Sequence, residues 1–171
     1  MRRIGVLGAV LLINFILQTT IFEYIAVLGI KPNTAIVLIV CYSILRGDFE
    51  GAIFGFFTGL LQDLFFGKYI GLYALLGLLT GFVCGKPFKN FYRENYLLPL
   101  LLTAFSVIGY EFLFYATNFL FRAKVDWLYY LCRVILPEAV YTGLFSIPLY
   151  RLFYIVNSRL EKAERHARKL F

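Results

Sequence analysis

The chain has 171 residues, of which 61% are apolar and only 16% charged, with a mean hydropathy of +0.77. This composition excludes a soluble globular domain, whose core does not need such long apolar runs, and the length leaves no room for a second soluble domain beside several spanning helices. A net charge of +7 invites nucleic acid as a partner, but the basic residues flank the apolar runs and fill one tail, where membrane topology accounts for them.

The expectation is therefore an all-α, polytopic integral membrane protein built as a bundle of six transmembrane helices. The first runs from Ile4 to Phe22. Arg2 and Arg3 ahead of it imitate a signal peptide, but the run is long, contains Asn14 and Gln18, and is followed by no small-x-small cleavage site, so it reads as a retained helix. The second, Ile30 to Leu45, carries Pro32 in its first turn, where a missing N–H costs nothing. The third spans about Gly51 to Phe66 and the fourth about Ile70 to Gly85. At 1.5 Å per residue, a run of about 16 residues covers about 24 Å of a hydrocarbon core of about 30 Å, so helices two to four are short. Local thinning of the bilayer or a half-inserted pair at helices two and three accommodates them. The fifth runs from Tyr96 to Phe121 and the sixth from Trp127 to about Val156.

Lysine and arginine favour the cytoplasmic side of a membrane. With six spans, one side receives Arg2, Arg3, Arg46, Lys86, Lys89, Arg93, Arg151 and the basic tail; the other receives only Lys31, Lys68, Arg122 and Lys124. Both termini are thus expected in the cytoplasm. The chain divides into a transmembrane domain, 1–157, and a basic cytoplasmic tail, 158–171. Within the tail, Glu161 to Arg165 and Glu164 to Arg168 are spaced i,i+4, which favours an exposed helical extension of helix six. The tail also suits docking to anionic lipid or a cytoplasmic partner.

Two rows of glycine at a four-residue step stand out: Gly47, Gly51, Gly55 and Gly59 on helix three, and Gly77, Gly81 and Gly85 on helix four. Residues four apart share a face, so each row makes a groove that admits a second backbone, filled either from within or by a partner's helix. Charges within the apolar runs form a second candidate site. Measured from the outer end, Arg133 lies about 9 Å deep, Glu138 about 16 Å and Glu111 about 15 Å, with Asp63 shallower than either glutamate. A mid-membrane charge costs about 2.5 to 3.5 kcal/mol, so such groups turn inward and pair. Asp63, Glu111 and Glu138 are the acidic partners open to Arg133, whose long side chain can also snorkel outward, and Pro137 breaks the local backbone ladder. A structural ion pair, a proton or substrate site and a partner-binding patch all remain open readings.

Catalysis and metal binding find little support. Cys41, Cys84 and Cys132 are dispersed and read as small buried packing residues, and His166, the single histidine, lies in the tail. There is no G-x-S-x-G, H-E-x-x-H or Walker A motif, so no enzyme, cofactor or metal is expected.

The segment "GLLQDLFFGKYIGLYAL", preceded by "KPNTAIVL" and followed by "VILPEAVYTGLFSIPLYRLF", resembles the bacterial rod shape-determining protein MreD over nearly the whole length. The matching positions are Pro32, Asn33, Gly55, Gly59, Asp63, Gly67, Gly71, Pro137, Pro148 and Tyr150; Phe66 departs from the small residue often found at its place. The resemblance implies a non-enzymatic subunit of the cell-elongation machinery in the bacterial inner membrane, which maintains rod shape. Its implied partners are MreC, directly, and MreB and the peptidoglycan synthase pair, directly or through others. On this reading, helices three and four accept partner helices through their glycines. The alternative is the substrate-binding membrane subunit of an energy-coupling-factor vitamin transporter, with Glu111, Arg133 and Glu138 lining a ligand pocket near the outer face.

Overall fold

The computed structural model describes residues 2–20, 32–66, 71–86, 97–122 and 131–169, all of them in helices or their short joints. Among the described residues six α-helices follow one another: α1 (Arg2–Thr20), α2 (Thr34–Arg46), α3 (Asp48–Phe66), α4 (Leu72–Gly85), α5 (Leu97–Arg122) and α6 (Leu136–Lys169). A π-helical turn, Leu131–Ile135, leads into α6. The first five residues expected for helix six, from Trp127, lie mostly outside the described segments.

The second helix begins later than its composition implies. Asn33 rather than Pro32 starts it: the Asn33 side chain accepts the N–H of Ile36 at 3.3 Å, satisfying one of the donors that a helix start leaves over. Pro32 therefore precedes the cap instead of occupying the first turn. The helix ends at Gly47, whose N–H donates to the Ser43 carbonyl at 2.8 Å and whose φ of 99° suits glycine best. Gly47 is thus the one-residue joint to α3 and not a member of the α3 row. Asp48 and Glu50 in the first turn of α3 complement the positive end of its dipole.

The centre of the bundle is α2. Every residue from Thr34 to Leu45 is buried, and the helix packs against α1, α3, α4, α5 and α6. A helix that is apolar on all sides belongs in an interior, and this one is shielded from any surroundings along its length. It is 13 residues long, about 20 Å of rise, so its shortness is accommodated inside protein and need not thin the bilayer. Around it the outer faces of α1, α3, α4, α5 and α6 carry large exposed apolar side chains, among them Phe49 at 74%, Phe105 at 69% and Val140 at 62% exposure. Such a surface is stable against hydrocarbon and not against water. Among the described residues, three helices are long and apolar enough to cross a membrane: Asp48–Phe66, Pro99–Ala116 and Leu131–Arg159; α1, α2 and α4 contribute shorter apolar stretches. α6 continues without interruption to Lys169, which makes the basic tail helical as far as that residue; its side chains beyond Arg159 lie outside the description.

Candidate functional site

The two glycine rows meet each other. A Cβ on Gly55 would overlap the carbonyl oxygen of Gly77, and one on Gly77 would overlap that of Gly55. One turn away, Gly51 and Gly81 stand in the same reciprocal relation, with a Cβ on Gly51 falling 2.9 Å from the Gly81 oxygen and 2.7 Å from the Ser43 Cβ. Gly59 abuts the backbone of Tyr73 and Ala74, and Gly85 that of Asp48. The α3–α4 pair is therefore an antiparallel hairpin in backbone contact from end to end. Neither groove is left open for a helix from outside, because each is filled by the other row, with Ile39 of α2 closing the seam from behind.

Asp63 joins the same two helices at their far end. Its Oδ1 accepts the N–H of Tyr73 at 3.0 Å and its Oδ2 that of Ala74 at 2.9 Å, in a position only 2% exposed. α4 starts after Gly71, which adopts φ 101° and has no side chain to cap with. The capping carboxylate is supplied from α3 instead, and a negative charge at a helix N-terminus is favoured there. Of the three acidic groups open as partners of Arg133, Asp63 thus has both oxygens on backbone donors of α4.

Next to this cap lies a small aromatic and polar cluster. The Tyr73 ring stacks on Tyr110 at 6.0 Å and on Phe114 at 5.4 Å, and the Tyr110 hydroxyl donates to Gln62 Oε1 at 3.2 Å. The Glu111 and Glu138 carboxyls, one from α5 and one from α6, are half-buried and near enough to act on each other and on both tyrosines. Of the three carboxyls, Asp63 touches Tyr73 directly, and Glu111 and Glu138 act on it only at electrostatic range. Arg133 is exposed, against the expectation that it is buried. Ile135, Ala139 and Thr142 take the inward face of the α6 entry, which leaves Arg133 on the outer one. Pro137 lies in the first turn of α6, where the π turn gives way to α-helix, so the widened turn precedes it.

Sequence reasoning missed the contacts made by the start of α2. The Asn33 N–H donates to Thr142 Oγ1 at 3.1 Å, which ties the α2 cap to α6 across 109 residues of chain. Thr142 and Ser146 are fully buried and Tyr150 is 2% exposed, so the inward face of α6 is set by these polar and aromatic groups. The signal was the polar i, i+4 pair in an oily run. Cys41 and Cys84 are buried, the latter 3.1 Å from Ser106 Oγ, whereas Cys132 is exposed, contrary to its reading as a buried packing residue.

A cleft of about 800 Å³ lies elsewhere, between α1 and α3, and none of Glu111, Arg133 and Glu138 lines it. The vitamin-binding alternative thus has no counterpart in that cavity.

Comparison with curated proteins and with solved structures finds no match. The family model described as rod shape-determining protein MreD, by contrast, matches residues 1–158. That stretch includes the glycine seam, the Asp63 cap and the α2–α6 tie, and the chain accordingly belongs to the MreD family of rod shape-determining membrane proteins.

Proposed function

We propose that this protein is a non-enzymatic scaffold of the cell-elongation complex, crossing the bacterial inner membrane six times with both ends in the cytoplasm. The family match over residues 1–158 is the observation that carries this reading. The architecture supports it: a fully buried central helix and a backbone-to-backbone hairpin give a stiff body, suited to presenting surfaces rather than opening around a substrate. MreC is the direct partner, and MreB and the peptidoglycan synthase pair are reached directly or through it. Because the glycine rows are filled from within, partner helices dock on the lipid-facing surface and not in the α3–α4 grooves. The basic tail, 158–171, helical as far as Lys169, lies on the cytoplasmic side and suits anionic lipid or the MreB side of the complex.

Depletion of the protein in its host, followed by light microscopy and affinity purification, tests the proposal. Rounded cells and co-purification of MreC with the full chain are the expected results. Rod-shaped growth after depletion, or a chain purified from cross-linked membranes without MreC, would overturn it.

A further inference from the structure

The cleft between α1 and α3 has the shape of a wedge. Gly8 and Leu12 line it on one side and Ile53, Phe57 and Leu61 on the other, so its walls are almost wholly apolar. At one end α1 is clamped onto α3, with the Phe15 ring 4.5 Å from Phe65 and 5.7 Å from Phe66. Toward the other end a Cβ on Gly8 would meet nothing within 4 Å. The open end is marked by polar groups: the Tyr42 hydroxyl donates to Glu50 Oε2 at 3.1 Å, and Arg46 Nε lies 3.4 Å from the same oxygen.

We propose that this wedge holds the acyl chains of one phospholipid from the leaflet at the Arg46–Glu50 end, and that the ion pair at its mouth selects a zwitterionic, amine-bearing headgroup. Depth decides against a spanning helix. From Glu50 to Leu61, α3 rises about 16 Å, which is close to half of a hydrocarbon core of about 30 Å. A helix of about 10 Å diameter crossing both leaflets would collide with the Phe15–Phe65 clamp, whereas acyl chains end within their own leaflet. Charge complementarity decides the headgroup. The Glu50 side chain is 45% exposed and the Arg46 side chain 15%, so the mouth presents a carboxylate with a guanidinium behind it. An ammonium adds to the exposed carboxylate while its phosphate reaches the guanidinium, alongside the contacts that Glu50 already makes with Arg46 and Tyr42; a headgroup with phosphate alone brings the carboxylate no further cation.

The test uses the full chain in nanodiscs of equal parts phosphatidylethanolamine and phosphatidylglycerol, each supplied in turn with a diazirine in its acyl chain. Cross-linked peptides are mapped by mass spectrometry, and lipid retained after extraction into mild detergent is quantified. The expected result is about one retained phospholipid per chain, enriched in phosphatidylethanolamine, with label concentrated on Leu7–Leu12 and Ile53–Leu61. Gly8→Phe, placed in open space, should remove most of this label by filling the room that the acyl chains take, without lowering thermal stability. Ile53→Phe serves as a second plug should Gly8→Phe not fold. Glu50→Gln should reduce the headgroup preference about threefold, the size of a partly exposed ion pair, while total retention holds. Equal retention of the two lipids by the wild type, label spread evenly around the outer helices, or label undiminished in both plugged variants would overturn the proposal.

Discussion

The two flanks of α3 obey opposite rules. Toward α4 it offers Gly51, Gly55 and Gly59, and the neighbouring backbone comes within touching distance along the whole helix. Toward α1 it offers Ile53 and Phe57, far more apolar surface, and there the neighbour stands off across a cleft of about 800 Å³. In water the oilier flank would be the better glued. In hydrocarbon, apolar area gives no reason to associate, and close fit with its dispersion contacts decides which helices adhere. On α3 the contrast is one of fit: small residues line the face taken by α4, and bulky ones the face that stands off from most of α1.

The sharpest way to break this comparison is Gly55→Leu. With the Gly77 carbonyl already occupying the place of a Cβ, the hairpin must separate. The loss should exceed about 4 kcal/mol, enough to abolish the folded protein in detergent, as read by unfolding in mixed micelles. Survival of Gly55→Leu with wild-type stability would mean that the seam does not hold the bundle. Asp63→Ala should rank next. It leaves the N–H groups of Tyr73 and Ala74 without their acceptor in a buried place and should cost about 3 kcal/mol, with Asp63→Asn recovering part. Tyr110→Phe removes one neutral hydrogen bond to Gln62 and should cost about 1 kcal/mol by the same assay. Gly8→Ala should stay within about 0.5 kcal/mol of wild type; a cost equal to that of Gly55→Ala would erase the distinction between the filled and the open flank.

Much of the helical layout was legible because apolar run length is set by solvent and shows in sequence directly. Helix five, read as Tyr96 to Phe121, is found at Leu97–Arg122. The glycine step was legible as a demand for close approach, but not as to what approaches, because identical spacing on two helices carries no address. Asp63 was placed by depth alone, and depth says nothing about which helix end lies beside it. The usable clue was Gly71, a helix start that has no side chain to cap with. The central place of α2 was equally present in the sequence, as apolarity on every side, although its short length points instead to a half-inserted helix. Arg133 escaped prediction because its side depends on the π turn, and a widened turn leaves little trace in composition.

Gly47 carries a mechanical consequence. With one residue between them, α2 and α3 form a bent lever rather than two rods on a tether, and neither can swivel without dragging the other. Any force applied where Arg46 pairs with Glu50, across that elbow, therefore passes straight into the helix on which all the rest lean, without slack to absorb it.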